Sequence, residues 1–507
     1  MKFNINPITV KNIEAIHPII VQSESDAYFA QLARKILKEL SRNKLIVSNF
    51  ASRLWTISLK SAAYFEDVVS GLGLFAGFRK MHGKMFGKKL PFLTLSNSYL
   101  DNEINLEDLQ FLIWMIMQES ANEYEDIRFL SAENPDIMPL ASMIMDILEQ
   151  EYETAPENET LRYWLHEHTY DDFFQLRDIL KWLHYKSYLS LNYPNYAIER
   201  SQQELKKYRK NSLTIPQKQF LCYLESNRIF DAVCSPLAVK AVNWWKEVTT
   251  SKQIIDILNT IEYKDYSHYK INESGDGILK ILPILNDNET LNVDCSSFDK
   301  IDGEKDKEAV FVALVKFKDL WQVNGFISLD NSIDDMIKTA KAEKETDEKT
   351  KKSVLFSYEK IMEHTGNKQL VFFKTFDEWV DFRKTIFPSV ENLNDPYGNK
   401  LKDEENFAVF VHPTAGTTAL PYDIARMIKT PDNKLYDKEV ADEQGIALLC
   451  GVIRLPLELL KYLIENKLLP DVKLNSQRGE AHGRKLIQDN MWFIVRFFQP
   501  ELFNEDS

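Results

Sequence analysis

The spacing of apolar residues changes period near residue 264, and that change limits the fold more than any other feature. Before it, apolar side chains recur at helical intervals. Phe29, Leu32, Ala33, Ile36, Leu37 and Leu40 make one stripe of an amphipathic helix, with Ser25 or Asp26 where an N-cap is expected. Asn105, with Asp108 three residues on, opens another helix through Leu109, Phe111, Leu112, Ile113, Trp114, Ile116 and Met117. That helix is apolar nearly all round, which places it inside a helical core. Further helices are expected over 139–152, 172–188, 195–210, 217–230, 237–248 and 252–262. After residue 264, short strand-like runs follow at 266–271, 278–285, 290–294, 310–317 and 321–329. Gly275-Asp276-Gly277 and Asn286-Asp287-Asn288 supply turns between the early ones. Five such runs predict a small antiparallel sheet or barrel.

From 330 to 352 the chain alternates Lys, Glu and Asp with few large apolar residues, the composition of a solvated helix or linker. Beyond it, strands over 370–376 and 407–412 mix with helices over 378–387, 421–429, 438–450 and 456–468. The expected architecture is α+β, mainly helical and multidomain. It comprises a helical domain over 1–262, a small antiparallel β module over 263–329, a charged helix or linker over 330–366 and an α/β-like C-terminal domain over 367–507. Only 16 of 507 residues are glycine, against an average usage of about 7%. The shortage fits helices and argues against propellers and folds with several phosphate-cradling loops.

Lys and Arg total 62 against 76 Asp and Glu, a net charge of −14, so the whole molecule is not a general nucleic-acid or membrane-surface binder. The charge is nevertheless segregated. Residues 1–100 hold 14 basic and 6 acidic side chains, whereas 101–160 hold 16 acidic ones and Arg128 alone on the basic side. Either neighbouring helices neutralise one another, or two opposed surfaces steer a partner. The basic residues cluster: Arg79, Lys80, His82, Lys84, Lys88 and Lys89 interleave with Phe78 and Phe86, and Lys206, Lys207, Arg209 and Lys210 surround Tyr208. Such clusters can hold phosphates and stack bases, or form the snorkelling edge of a helix.

The first residues lack the apolar core of a signal peptide, and the densest apolar run, 111–117, is far shorter than the roughly 20 residues of a membrane span. Cys222, Cys234, Cys295 and Cys450 lie far apart with no Cys-x-x-Cys pair, as expected of reduced thiols in a cytoplasmic protein.

Several motifs invite a chemistry and fall short of it. Gly71-Leu72-Gly73-Leu74-Phe75-Ala76-Gly77 has the wrong spacing for a dinucleotide fingerprint and follows a helix, so it reads as a helix break or close-packing point. Between Gly77 and Lys84 a P-loop is mimicked with one residue too many, and Met85 stands where a hydroxyl is needed. His166-Glu167-His168 followed by Asp171-Asp172 lacks a third metal ligand, and either Asp171 or Asp172 serves more simply as a helix cap. The best small-ligand candidate is His412-Pro413-Thr414-Ala415-Gly416-Thr417-Thr418, between a strand and an expected helix. His412, Thr414, Gly416, Thr417, Thr418 and Arg426 could there hold an anion at a helix N-terminus. Without a ligand, Gly416 would simply turn the chain and Thr417 or Thr418 cap the helix.

The segments 62–78, Pro91-Phe92, 104–114, 266–270, Trp321-x-x-Asn324-Gly325 and 432–437 together resemble an uncharacterised family of bacterial cytoplasmic proteins, a domain of unknown function. The resemblance implies relatedness over most of the chain and carries no catalytic residue with it. With no complete catalytic constellation, the leading expectation is a non-enzymatic interaction or scaffold protein that binds another protein or a second copy of itself. The alternatives are RNA or ribosome binding through the clusters at 79–89 and 206–210, and a small-anion site or enzyme at the 412–418 loop. No cofactor, metal or membrane partner is expected.

Overall fold

A computed structural model describes residues 7–43, 46, 50–121, 129–191, 226, 229–234, 236–286, 289–296, 307–330, 333–388, 405–420, 423–469, 472–474, 476 and 478–504. The protein is mixed α+β and mainly helical, in two compact units: residues 1–336 with 499–507, and residues 337–498. Among the described residues no helix is long and apolar enough to cross a membrane.

The first unit begins with α1 (Val10–Glu14) and α2 (Asp26–Arg42), and the stripe from Phe29 to Leu40 is buried. Ser25 occupies the N-cap of α2 without a side-chain cap bond; its hydroxyl pairs with that of Ser23 at 2.8 Å instead. Next come α3 (Leu54–Val69), α4 (Leu74–Phe86), α5 (Leu106–Ala121) and α6 (Ile137–Glu151). As its all-round apolar pattern requires, α5 buries Leu109, Phe111, Leu112, Ile113, Trp114 and Ile116. Then follow α7 (Glu159–His166), α8 (Phe173–Tyr185) and a two-residue pair of strands, β1 (Val233–Cys234) and β2 (Val239–Lys240). The helices α9 (Ala241–Val248) and α10 (Lys252–Asn259) complete this part. The helix expected over 195–210, and most of that over 217–230, lies outside the described residues.

The glycine-rich link between α3 and α4 shows why glycine is needed there. Gly71 and Gly73 have φ of +60° and +78°, a left-handed conformation that reverses the chain. Asp67 then caps α4: its Oδ1 accepts from Leu74 N–H at 2.9 Å and its Oδ2 from Phe75 N–H at 2.8 Å. A Cβ on Gly77 would stand 2.8 Å from Cγ2 of Val248, so α4 approaches α9 closely at this point. The segment is a helix break followed by a packing contact, with its own carboxylate where a phosphate would sit.

The β module is a closed barrel of β3 (Glu262–Gly275), β4 (Ile278–Pro283), β5 (Leu291–Asp294), β6 (Ala309–Phe317) and β7 (Leu320–Asp330), in the order β3-β4-β5-β7-β6. All its pairings are antiparallel except β5 with β7, which is parallel. The long β3 pairs with both β4 and β6, its ladder to β6 shifting register between Lys264 and Ser267. This is a small five-stranded Greek-key barrel, the class that includes OB-folds. Tyr269, Leu279, Ile281, Leu291, Val293, Val310, Val312, Leu314, Trp321 and Val323 fill the interior. The turn foreseen at Gly275-Asp276-Gly277 joins β3 to β4, with Asp276 and Gly277 both at positive φ.

A 32-residue helix, α11 (Asp334–Thr365), leads into the second unit. There β8 (Leu370–Thr375), β9 (Glu405–His412) and β10 (Gly416–Leu420) form an antiparallel sheet with β9 in the middle. Phe407, Val409 and Val411 of β9 pack with Ile361 of α11 and with Phe376, Trp379 and Ile386 of α12 (Phe376–Ile386). Phe410 points the other way, onto Tyr462 at 5.5 Å. The remaining helices are α13 (Ile424–Met427), α14 (Lys438–Leu449), α15 (Leu457–Glu465), α16 (Glu480–Gln488) and α17 (Met491–Phe498).

One expectation is corrected here. Residues 416–420 are a strand, and the helix beyond them is only four residues long. The 412–418 segment is therefore a hairpin, with Gly416 paired to His412, and not a connection into a helix N-terminus. The β-branched Thr417 and Thr418 suit the pleated edge, and Gly416 supplies the turn at φ +80°.

Candidate functional site

Charged side chains gather around α3, although its flanks are apolar. Its buried residues include Lys60, Tyr64, Glu66 and Asp67, each 9% exposed or less. Ionisable groups taken from water need partners, and the helix finds them on the segments around it.

On one side, His17 lies between two carboxylates. Its Nε2 is 2.9 Å from Glu66 Oε2 and its Nδ1 is 3.3 Å from Asp26 Oδ1, all three side chains being 4% exposed or less. Burial opposes a charge on the ring, but Glu66 and Asp26 outweigh it and raise the His17 pKa to about 10. Asn158 steadies Glu66, donating from Nδ2 to Oε1 at 2.7 Å, while its own Oδ1 caps α7 by accepting from Leu161 N–H. One ligand atom each from His17, Asp26 and Glu66 falls within 4.8 Å of the others, so the group can hold a metal ion. No spacing signature announces it: His17 and Glu66 are 49 positions apart, and Glu66 sits within an apolar helix.

On the other side, Asp108 of α5 collects Tyr64, Tyr99 and Arg79. Tyr64 donates to its Oδ2 at 3.1 Å, Tyr99 to its Oδ1 at 2.8 Å, and Arg79 Nη1 lies 3.2 Å from Oδ2. Arg79 Nη1 also donates to the Tyr99 hydroxyl. Burial lifts the Asp108 pKa to about 6, although Arg79 and the two phenols pull it down. Burial likewise raises Asp67, which takes a 2.6 Å bond from Tyr188 in addition to its two cap bonds. Chemically this is a desolvated cluster of carboxylates, phenols and one guanidinium whose bonds run to its own chain.

The basic cluster at 79–89 is split, with Arg79 and His82 buried and Lys80, Lys84 and Lys89 exposed. Arg79 is in the core, 6% exposed. Lys80 and Lys84 both pair with Glu247 of α9, at 2.9 and 2.6 Å, and Lys89 pairs with Asp101 at 2.7 Å. The carbonyl of Lys88 binds His82 Nδ1 at 2.5 Å, and burial lowers the His82 pKa to about 4. Lys206, Lys207, Arg209 and Lys210 lie outside the described residues. On the acidic side, Glu151 takes Lys35 at 2.5 Å and the Tyr28 hydroxyl at 2.9 Å, and Glu119 lies 3.8 Å from Lys60. Between the basic and acidic stretches, Lys35, Lys60, Arg79 and Lys89 thus meet Glu151, Glu119, Asp108 and Asp101. The barrel repeats this outside, where Lys264, Lys280, Lys316 and Lys318 pair with Glu289, Glu273, Glu262 and Asp171.

His166 and His168 face different partners. His166 Nε2 meets the Leu72 carbonyl at 3.1 Å, whereas His168 packs 3.9 Å from the Trp164 ring and bonds Gln175. Asp172 caps α8 by accepting from Phe174 N–H at 2.8 Å. In the 412–418 hairpin, His412 Nδ1 accepts from Thr414 N–H at 3.4 Å and Ala415 N–H at 3.2 Å, and lies 3.0 Å from the Thr414 hydroxyl. The imidazole thus takes up the turn's own donors. Thr417 and Thr418 are paired with Val411 and Phe410 in the ladder, and Arg426 is held by Asp437 at 2.5 Å and Asp423 at 3.4 Å.

The surface differs most on α11. Every residue from 341 to 353 is exposed, and two large apolar side chains follow directly, Leu355 at 46% and Phe356 at 54% exposure. Nearby, Phe356 touches Phe387 at 6.4 Å, and the tip of the β9–β10 hairpin approaches Val354.

A family model described as a protein of unknown function (DUF3843) matches residues 8–278 and 316–499. The chain belongs to this family. The matched stretches contain α3 with its buried charges and all of α11, and pass over 279–315, where β5 and most of β4 and β6 lie. No curated protein and no solved structure matches the chain.

Proposed function

We propose that this DUF3843 protein is a non-enzymatic, cytoplasmic protein-interaction protein that uses the outer face of α11. The observation that carries this reading is the exposure of thirteen consecutive helical residues, 341 to 353, ending beside exposed Leu355 and Phe356. A helix solvated all round gains nothing from burial and is marginal by itself. Alternating charge with two adjacent apolar anchors is suited to a partner helix or groove. The buried titratable groups support the same reading through what they do: Asp67 caps a helix, Asp108 binds Arg79, and Glu66 fastens His17 and Asn158.

Affinity capture with the intact chain at low and high salt tests this, with Leu355→Ser/Phe356→Ser as the comparison. The native chain should retain a partner that the double variant loses while its melting temperature stays unchanged. Equal capture by both proteins, or none by the native chain at either salt, ends the proposal.

A further inference from the structure

We infer that α11 takes α11 of a second copy of this chain as its partner, the two helices lying antiparallel about a point between Glu348 and Lys349. The inference rests on the reading of α11 as the binding face and names what that face holds. Lys338, Glu345, Lys352 and Glu359 follow one another at intervals of seven residues, close to two helical turns, so they stand on one face with alternating sign. Glu348 and Lys349 lie at the middle of that face. All six side chains are exposed, and none of them is ion-paired among the described residues. Asp347 and Lys351, which do pair with each other at 2.7 Å, lie on the opposite side of the helix.

An antiparallel copy about this axis sets Glu348 opposite Lys349, Glu345 opposite Lys352 and Lys338 opposite Glu359, and the two-fold symmetry repeats each contact. Between 338 and 359 no like charges then stand directly opposite one another. A parallel pair in register would instead place every charge against its own kind, which is costly. The same axis brings exposed Phe356 beside Lys341 of the second copy, whose stem and ammonium both suit an aromatic face, and Leu355 opposite Ala342. Charge complementarity selects this occupant, because a surface of one sign can satisfy only half of an alternating row. Two single helices make a contact smaller than the roughly 1,200 Å² of a stable complex. The dimer should therefore form only at high protein concentration and weaken as salt screens the pairs.

Sedimentation equilibrium of the purified full-length chain is the test. Its mass should rise from 59.2 kDa towards twice that value as concentration increases, and less steeply in high salt. Two charge-reversed chains, Glu345→Lys/Glu348→Lys and Lys349→Glu/Lys352→Glu, should each stay monomeric, because the central contacts then join like charges. Their equimolar mixture should associate, because each chain supplies the sign the other lacks. A native chain that is monomeric at every concentration overturns the pairing, while the capture experiment decides separately whether α11 binds any partner. Reversed chains that each still dimerise, or a mixture that stays monomeric where the native chain dimerises, overturn it as well.

Discussion

Helices α3 and α11 both carry charged residues and use them in opposite ways. In α3, Lys60, Glu66 and Asp67 point into the first unit and are bonded to Ser190, His17 with Asn158, and Tyr188 with the α4 N-terminus, respectively. In α11, everything from 341 to 353 faces water, and an ion pair such as Lys351 with Asp347 at 2.7 Å stays within the helix itself. A buried charge fixes which segments meet, because leaving it unpaired is expensive; an exposed pair contributes little to stability. Charge near α3 therefore belongs to folding, whereas charge on α11 stays in water, where the proposed recognition would use it.

The largest effect should come from breaking the core cluster. Asp108→Ala strands the Arg79 guanidinium and two phenols, and urea unfolding should show a loss of about 3–5 kcal/mol. Gly77→Val comes next. Its Cβ would meet Val248 at 2.8 Å where α4 crosses α9, so a loss of about 1–3 kcal/mol in the same measurement is expected. A neutral result at either position would show that the first unit tolerates disruption of its interior, erasing the contrast with α11.

Acid separates two buried groups of opposite sign. His82 has a folded pKa near 4 against an ordinary 6.5, so its stabilising contribution is present above pH 6.5 and is lost as pH falls through 4. Asp108, near 6 against 3.8, works the other way: its contribution is present below pH 3.8 and is lost as pH rises through 6. Urea midpoints between pH 4 and 7 should therefore fall less steeply on acidification in His82→Gln than in the native chain, and more steeply in Asp108→Asn. Parallel curves for all three proteins would mean that neither group is buried as described. The smallest effect is expected on α11, where Lys341→Ala with Lys344→Ala should leave the midpoint unchanged.

Much of the fold was legible in the sequence because period is a local signal. The α2 stripe, the apolar α5, the five barrel strands and the solvated 330–352 region follow from spacing alone. The parallel contact of β5 with β7 has no local signal, since it depends on how the barrel closes. Helix α17, Met-Trp-Phe-Ile-Val-Arg-Phe-Phe, was not foreseen; its aromatic and β-branched residues favour strands, and its helix is fixed by burial of Phe493, Ile494, Val495 and Phe497. The buried polar centre was hidden for another reason. Charged residues are read from sequence as surface, so Arg79 groups with its lysine neighbours in a basic cluster, and no local spacing marks Glu66 and Asp67 as buried. Only the contact between distant segments reveals that they are interior fastenings.

The most direct measurement sets the two kinds of charge against each other. One variant carries Lys344→Glu, Lys349→Glu and Lys352→Glu on α11; the other carries Arg79→Gln in α4, which takes the buried cation away from Asp108. Partner capture and urea unfolding are measured on both. The α11 variant should lose its partner and keep its unfolding midpoint, whereas the α4-side variant should keep the partner and unfold at lower urea. Partner loss confined to the α4-side variant would contradict the account.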